Sequence, residues 1–178
     1  MNLRIIAGQW RGRRWRFVAA EGVRPTPDRV RETLFNWLAT RVAGAHCLDL
    51  FAGSGALGLE ALSRGAGHVT FVERQSPVAQ ALQAQLALWK ARNYELHVAD
   101  ASGWLAHAGS PFDIVFLDPP FDAGLTSAVL ARLRARQLLV PGGWVYLEQP
   151  ADAPPPGDWA LHRSGRAGAV GYYLLHEA

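Results

Sequence analysis

The sequence predicts an α/β fold built on a mostly parallel sheet, and three observations support this fold class. Short apolar runs alternate with amphipathic segments along most of the chain, the pattern of strands joined by helices. A glycine-rich turn, Gly53 to Gly58, links the first of these runs to a helical segment, an arrangement typical of ligand-binding sheets. The last two predicted strands lack an intervening helix, so we expect an antiparallel hairpin at the sheet edge.

The chain length of 178 residues indicates one domain, residues 1–178. We expect a basic β-hairpin arm over 1–22, with strands near 3–6 and 13–18, and a core over 23–178 that holds the cofactor and the catalytic residues. A helix is predicted to start with Thr26 as its N-cap and Pro27 in its first turn. After the glycine-rich turn, strands are predicted near 68–73, 96–99, 112–118, 144–148, 159–163 and 169–176, and helices near 77–91, 102–108 and 125–136.

Composition excludes several protein classes. Hydrophobic residues make up 49% of the chain and charged residues 19%, as in ordinary soluble proteins. The one cysteine, Cys47, excludes an internal disulfide framework and lies in an apolar strand, where we expect it to pack. No apolar run approaches the roughly 20 residues of a membrane span, and the N-terminus is too polar for a signal peptide. We therefore expect a cytoplasmic protein.

Positive charge is concentrated at the start of the chain. Residues 1–31 carry a balance of +6, whereas the remaining residues carry a balance of −3. This asymmetry predicts a basic arm that contacts a polyanion such as RNA. Arginines interleaved with Trp10, Trp15 and Phe17 suit phosphate contacts combined with base stacking, although packing of these aromatics onto the core is an open alternative. The arginines expected to contact RNA are Arg4, Arg11, Arg13, Arg14, Arg16, Arg29 and Arg31.

The glycine-rich turn is compatible with two kinds of cofactor. Its glycines fit the G-x-G-x-x-G spacing of dinucleotide-binding proteins, and Glu73 lies about twenty residues further on. Asp49 favours a different ligand, because a carboxylate within the strand repels a pyrophosphate and attracts a cation. S-adenosylmethionine (SAM) carries an amino group and a sulfonium but no phosphate, so we favour SAM. Its candidate contacts are Asp49, Phe51, Gly53, Gly55, Glu73, Asp100 and Ala101.

An acidic residue lies near the carboxyl end of each of four successive predicted strands, the edge where such sheets bind ligands. Asp49 leads into the glycine-rich turn, and Glu73 is placed to accept hydrogen bonds from ribose hydroxyls. Asp100 is placed to contact an adenine amine, with the amide of Ala101 available to a ring nitrogen. Any one of these acids could be a helix cap or a solvated carboxylate, but the four together predict a binding site.

The fourth acid opens the most specific motif of the chain, Asp118-Pro119-Pro120-Phe121. Two prolines lack N–H groups and fix φ, which makes the loop rigid. A rigid loop can present the Asp118 carboxylate and the Pro119 carbonyl as converging acceptors. An exocyclic NH₂ on a planar base has two protons to donate, so two acceptors suit it. Phe121 is placed to stack on the base, and we assign the four residues to catalysis.

This motif resembles motif IV of the class I SAM-dependent amino-methyltransferases. Residues 24–36 (RPTPDRVRETLFN) and 49–61 (DLFAGSGALGLEA) together resemble the RsmD-type family, as do RIIAG at 4–8 and RGRR at 11–14. The resemblance implies a seven-stranded class I methyltransferase sheet, mostly parallel with an antiparallel last strand, preceded by a β-hairpin and a helix. It also implies methylation of a guanine N2 in bacterial 16S ribosomal RNA, free or within an assembling small subunit.

Three other functions stay open on the sequence. An adenine-N6 or cytosine-N4 methyltransferase acting on another nucleic acid shares the Asp-Pro-Pro-Phe motif, but normally has a separate target-recognition region. An NAD-dependent oxidoreductase would share the glycine spacing, but no acid–base pair for hydride transfer is apparent. A non-catalytic RNA-binding domain would not need the four acids. We expect a monomer without a metal ion or a membrane contact.

Overall fold

Two sheets organise the chain in the computed structural model, which describes residues 2–21, 23–121 and 123–178. A small antiparallel hairpin comes first and a seven-stranded sheet follows. The strands are β1 (Asn2–Arg4), β2 (Arg14–Arg16), β3 (His46–Asp49), β4 (His68–Glu73), β5 (Tyr94–Val98), β6 (Phe112–Leu117), β7 (Leu139–Pro150), β8 (Trp159–Ala167) and β9 (Val170–Glu177). The helices are α1 (Asp28–Trp37), α2 (Ala56–Ser63), α3 (Ser76–Leu88), α4 (Ala101–Leu105) and α5 (Ala123–Ala135).

The large sheet has the order β5-β4-β3-β6-β7-β9-β8. Strands β3 to β7 pair in parallel, whereas β9 pairs antiparallel with both β7 and β8. The predicted fold class and the predicted final hairpin are confirmed, and β9 inserts between β7 and β8 so that β8 forms the edge. Strand order reverses between β4 and β6 around β3, which opens a crevice at the carboxyl ends of these strands.

The sheet separates two hydrophobic layers, because alternate side chains of each strand point to opposite faces. Cys47, Ile114 and Tyr146 belong to the layer that also contains α1, α2, α3 and the hairpin. Leu48 and Val115 belong to the layer covered by α4 and α5. Cys47 is fully buried, as expected, and burial raises the pKa of its thiol. No helix in the described part of the chain is long and apolar enough to cross a membrane.

The hairpin packs along α2 from one end to the other. The amide of Gln9 donates to the Ser63 carbonyl at 2.8 Å, near the C-terminal end of α2. At the opposite end, Trp15 Nε1 donates to the Ser54 carbonyl at 3.0 Å. Trp10 and Trp15 are 6% and 4% exposed, and their rings contact that of Trp89 at centroid distances of 5.2 and 5.7 Å. The arm is therefore a packed part of the fold.

Burial of these rings corrects the prediction of base stacking. Trp10, Trp15 and Phe17 all lie in the hydrophobic core, so they cannot stack on RNA bases without leaving it. The alternative, in which the aromatics attach the hairpin to the core, is correct. Alternation along β2 explains the outcome: Trp15 points inward, while Arg14 and Arg16 on either side of it point to solvent.

The start of α1 differs from its prediction. Pro27 is the N-cap residue, and the helix begins at Asp28 without a side-chain cap. Thr26 does not cap the helix, because its Oγ1 donates to Glu148 Oε1 at 2.8 Å. Glu148 is a buried carboxylate in β7, so the hydroxyl satisfies a group that would otherwise lack a donor. The segment before α1 is thereby fixed to the carboxyl end of β7.

A buried ion-pair network joins the hairpin, α1 and α2. Glu60 is fully buried in α2 and accepts hydrogen bonds from the amides of Ile6 and Ala7, each at 3.0 Å. Arg64 Nε donates to Glu60 at 2.9 Å and Arg31 Nη1 donates to it at 3.3 Å. Because its carboxylate has four donors, Glu60 can remain charged within an otherwise apolar helix.

Candidate active site

A cleft opens at the carboxyl ends of β3 to β6, on the edge predicted from the strand-end acids. Val23, Arg24 and Thr26, from the segment before α1, also line it. Eight of the predicted site residues line this cleft: Asp49, Phe51, Gly53, Glu73, Asp100, Ala101, Asp118 and Pro120. Residues that the sequence analysis did not assign to the site also line it, among them Glu21, Arg24, Thr26, Arg74, Gln75 and Leu125.

Of the residues predicted for catalysis or cofactor binding, three lie outside the lining: Gly55, Pro119 and Phe121. Gly55 precedes α2 with φ of +79°, and a Cβ there would come within 2.4 Å of Leu82. It shapes the turn and the packing beneath the turn. Phe121 is 52% exposed at the surface beside the cleft, where its predicted stacking on a base remains a prediction.

Asp49 is the last residue of β3, and its carboxylate binds the backbone of the glycine-rich turn. Its Oδ2 accepts a hydrogen bond from the Gly58 amide at 3.0 Å, within the first turn of α2. Burial raises the pKa of Asp49 to about 7; the Gly58 hydrogen bond lowers it, and the charge of Glu73 raises it further. An unsolvated carboxylate at the mouth of this turn is a favourable partner for a cationic ligand group.

Glu73 ends β4 and holds two backbone amides. Its Oε2 accepts from the Gly53 amide at 2.9 Å, and its Oε1 accepts from the Gln75 amide at 2.8 Å. These bonds fix the carboxylate between the glycine-rich turn and the start of α3. Each carboxylate oxygen can accept more than one hydrogen bond, so Glu73 can also receive the hydroxyl groups of a ligand.

Asp100 follows β5 as the N-cap of α4. Its Oδ2 accepts a hydrogen bond from the Gly103 amide at 3.0 Å, so the helix-cap role that was open on the sequence is realised. Asp100 is exposed and still lines the cleft, next to Ala101. A capping carboxylate keeps an outward-facing lone pair, so the cap and a ligand contact are compatible.

Asp118 follows β6 and has a carboxylate neighbour in Glu148 on β7. Burial raises the pKa of Asp118, and the charges of Glu148 and Asp49 raise it further. Burial raises the pKa of Glu148, and the hydrogen bonds from Thr26 and Tyr146 partly offset this increase. Glu148 was missed by sequence reasoning. The feature that could have indicated it is a carboxylate within the apolar run of β7, the strand that pairs with β6 just before Asp118.

Six of the seven arginines predicted to contact RNA lie at the surface. Arg11, Arg13, Arg14, Arg16 and Arg29 are exposed, and Arg4 is exposed while paired with Asp28 at 2.7 Å. The prediction for Arg31 is wrong, because this residue is fully buried. Its guanidinium donates to the Thr26 carbonyl at 3.1 Å and the Arg4 carbonyl at 2.9 Å, besides pairing with Asp28 and Glu60.

The charges of the cleft decide which cofactor its residues fit. Five acids line it, Glu21, Asp49, Glu73, Asp100 and Asp118, against the two cations Arg24 and Arg74. A cationic ligand with hydroxyl and amine groups fits this set, whereas a pyrophosphate would meet the carboxylates of Asp49 and Glu73 beside the turn. Together with the strand order and the antiparallel β9, this cleft defines a class I methyltransferase.

Comparisons with known proteins agree with this class. A family model described as Conserved hypothetical protein 95 matches residues 3–176. Ribosomal RNA small subunit methyltransferase D of Escherichia coli (strain K12) is 47% identical over 176 residues, which cover 97% of this chain and 89% of the relative. The protein of the same name from Haemophilus influenzae is 43% identical over 180 residues, covering 97% of this chain and 93% of the relative.

A solved structure is also similar along its whole length. That of yhhF from Escherichia coli has a TM-score of 0.91 at 46% identity, covering 99% of this chain and 98% of the other. The chain belongs to the Conserved hypothetical protein 95 family, the RsmD-type methyltransferases, which confirms the resemblance seen in the motifs.

Proposed function

We propose that this protein transfers a methyl group from SAM to the exocyclic N2 amine of a guanine in small-subunit ribosomal RNA. The observation that carries the proposal is the acidic cleft, in which the Asp118 loop faces three further strand-end carboxylates. Membership of a family whose relatives are named ribosomal RNA small subunit methyltransferases supports the choice of substrate.

Cofactor binding is assigned to the side of the cleft formed by β3, β4 and β5. Asp49 would receive the amino acid end of SAM, Glu73 its ribose hydroxyls, and Asp100 with the Ala101 amide its adenine. Phe51 and Gly53 line the same side. The two amides that hold Glu73 keep its carboxylate in place before a ligand arrives, so little ordering is needed on binding.

The chemistry is assigned to the Asp-Pro-Pro-Phe loop. SAM supplies an electrophilic methyl group: the amine nitrogen forms the new N–C bond, the C–S bond breaks with its electron pair left on sulfur, and the amine then loses one proton. A guanine amine is a weak nucleophile because its lone pair is delocalised into the ring. Asp118 and the Pro119 carbonyl would accept its two N–H bonds and stabilise the positive charge that develops on nitrogen.

RNA binding is assigned to the exposed arginines of the arm. Replacing Arg11, Arg13, Arg14 and Arg16 by alanine should raise the KM for RNA and leave SAM affinity unchanged. The salt dependence of RNA binding should flatten by about one unit of slope for each phosphate that the arm no longer neutralises. Filter binding across a salt series measures this slope, and replacement of Arg163 and Arg166, exposed on β8, is the control. A wild-type slope in the quadruple variant would exclude the arm from RNA binding.

The affinity for SAM should depend on pH through Asp49. In the free protein the carboxyl group ionises only near pH 7, whereas a bound cation favours the ionised form. SAM affinity should therefore rise with pH up to about 7, approaching about tenfold per unit, and level off above it. Calorimetry between pH 5.5 and 8 measures the slope. Asp49→Asn keeps an acceptor for the Gly58 amide and reveals how much of the slope comes from the amine of SAM itself.

The same substitution should change the stability of the free protein in a defined direction. A raised pKa means that the contribution of Asp49 to stability is present below the ordinary carboxyl pKa and is lost as the pH rises through 7. Asp49→Asn cannot ionise, so its stability relative to the wild type should increase between pH 5 and pH 8. A difference in melting temperature between the two proteins that stays constant over this range would contradict a raised pKa.

A substrate panel tests the proposed function directly. Methyl transfer from labelled SAM is measured with naked small-subunit RNA, with small ribosomal subunits and with DNA, and the modified nucleoside is identified by mass spectrometry. N2-methylguanosine in RNA is the expected product. An N6-methyladenine or N4-methylcytosine product would favour the alternative amino-methyltransferase, and absence of SAM binding in calorimetry would exclude both.

A further inference from the structure

Glu148 lies next to Asp118 on the adjacent strand. Strands β6 and β7 pair in parallel with Leu117 opposite Leu147, so Asp118 and Glu148 are the next residues on the two strands. Neighbouring strands are about 5 Å apart, which puts the two acids side by side at the carboxyl edge of the sheet. Leu117 and Leu147 both point into the α4–α5 layer, so Asp118 and Glu148 share the opposite side.

The carboxylate of Glu148 is held in one orientation by two donors. Thr26 Oγ1 and the Tyr146 hydroxyl both donate to Oε1, each at 2.8 Å. Thr26 lines the cleft, and its carbonyl accepts from the buried Arg31, so this wall is itself fixed. Both of these bonds use Oε1, so Oε2 remains a further acceptor. Glu148 itself is 5% exposed and lies directly behind two residues that line the cleft, Thr26 and Asp118.

Acceptors for an amine alone do not distinguish among the bases. Guanine, adenine and cytosine each present an exocyclic NH₂, which Asp118 and the Pro119 carbonyl could hold equally well. The ring nitrogen beside the amine differs: N1 of guanine carries a hydrogen, whereas N1 of adenine and N3 of cytosine are acceptors. A site selective for guanine therefore needs an acceptor next to the amine contacts, and an ionised carboxylate there repels the lone pair of the other two bases.

We infer that Glu148 is the specificity-determining residue of the target pocket and accepts the N1–H of guanine while Asp118 and the Pro119 carbonyl hold the N2 amine. This inference rests on the proposed function. It assigns a task to a buried carboxylate that neither the assigned SAM contacts nor the transfer step uses. Thr26 and Tyr146 are positioning residues, since they orient the Glu148 carboxylate.

The test replaces the target guanine, once mapped, by 2-aminopurine. This base has the same N2 amine but no hydrogen on N1, and it can be ligated into RNA in whichever form, naked or assembled, the enzyme methylates. The wild type should prefer guanine to 2-aminopurine in kcat/KM by roughly ten- to a hundredfold, the range for a hydrogen bond to a charged group. In Glu148→Gln the amide can donate to N1 of 2-aminopurine, so the preference should fall towards one or invert.

Two controls separate the possible failures. Glu95→Gln removes an exposed carboxylate at the distal strand β5 and should keep the wild-type preference. SAM affinity of Glu148→Gln should equal that of the wild type, because the base contacts lie apart from the assigned cofactor contacts. A wild type that methylates 2-aminopurine as fast as guanine overturns the inference, even if the variant fails to fold. Unchanged discrimination in a folded Glu148→Gln also overturns it, whereas a wild type inactive on guanine RNA overturns the proposed function as well.

Discussion

Replacement of Asp118 by alanine should lower the rate of methyl transfer about a hundredfold or more, the scale for removing one preorganised transition-state contact. Asp118 is assigned to the target amine, whereas Asp49, Glu73 and Asp100 are assigned to SAM. The affinity for SAM should therefore change little. This separation of rate from cofactor binding is expected because Asp118 follows β6, whereas the assigned cofactor contacts lie at or just after the carboxyl ends of β3, β4 and β5.

Asp118→Asn tests whether charge or position matters. The amide keeps one acceptor oxygen but removes the negative charge, and it adds a donor beside the amine. If the carboxylate stabilises the developing cation, the asparagine variant should be nearly as slow as the alanine variant. Substantial activity of Asp118→Asn would instead show that positioning suffices.

Single-turnover kinetics at saturating SAM measure the chemical step for both variants. Calorimetric SAM affinity supplies the control for an intact cofactor site. An Asp118→Ala protein that methylates RNA at the wild-type rate would exclude the proposed role of the Asp-Pro-Pro-Phe loop. Activity should also fall with acidification at a higher pH than an ordinary aspartate would give, because burial and Glu148 raise the pKa of Asp118.

Replacement of Arg31 by alanine should destabilise the protein by about 3–5 kcal/mol, the cost of removing one partner from a buried ion pair. Arg31 and Glu60 are both fully buried, and Arg31 also donates to the carbonyls of Arg4 and Thr26. The substitution leaves these acceptors and part of the Glu60 carboxylate without a donor. Urea unfolding of the free protein measures the loss in the free energy of unfolding.

Arg29 supplies the matched control for this experiment. It lies two positions earlier in α1 and is exposed, so Arg29→Ala should change stability by no more than about 0.5 kcal/mol. A loss below about 1 kcal/mol in Arg31→Ala would show that Glu60 is satisfied without Arg31.

The sheet and most of the cleft could be predicted because their signals are local. The bounds of β4 match those predicted from its apolar run, and an acid at the end of a parallel strand reaches the ligand edge whatever the rest of the chain does. The four predicted acids therefore line one cleft. The helix-cap role of Asp100 is confirmed and Asp100 also lines the cleft, while its contact with the cofactor stays a prediction.

The errors arose where a partner lies far away in the sequence. Threonine is a common N-cap residue, but the hydroxyl of Thr26 donates to Glu148, 122 residues later. In the sequence, Arg31 cannot be distinguished from the exposed arginines of the basic segment. Only the structure shows that it pairs with the buried Glu60, 29 residues later. The one local hint was Glu60 itself, a single carboxylate in an apolar helix, which predicts an unidentified buried cation.

The arm is attached through Glu60, and this has a consequence for how RNA could be captured. The carboxylate that binds the amides of Ile6 and Ala7 also binds Arg31, and Arg31 donates to the Thr26 carbonyl. The hydroxyl of Thr26 in turn donates to Glu148, beside the Asp118 loop. In the proposed complex with RNA, this connection would fix the distance between the phosphate contacts of the arm and the target base, and the backbone of the arm would need little further ordering. Exchange of the whole arm between relatives would also replace Trp10 and Trp15, which pack on Trp89, so a change of RNA preference is better sought by exchanging the surface arginines alone.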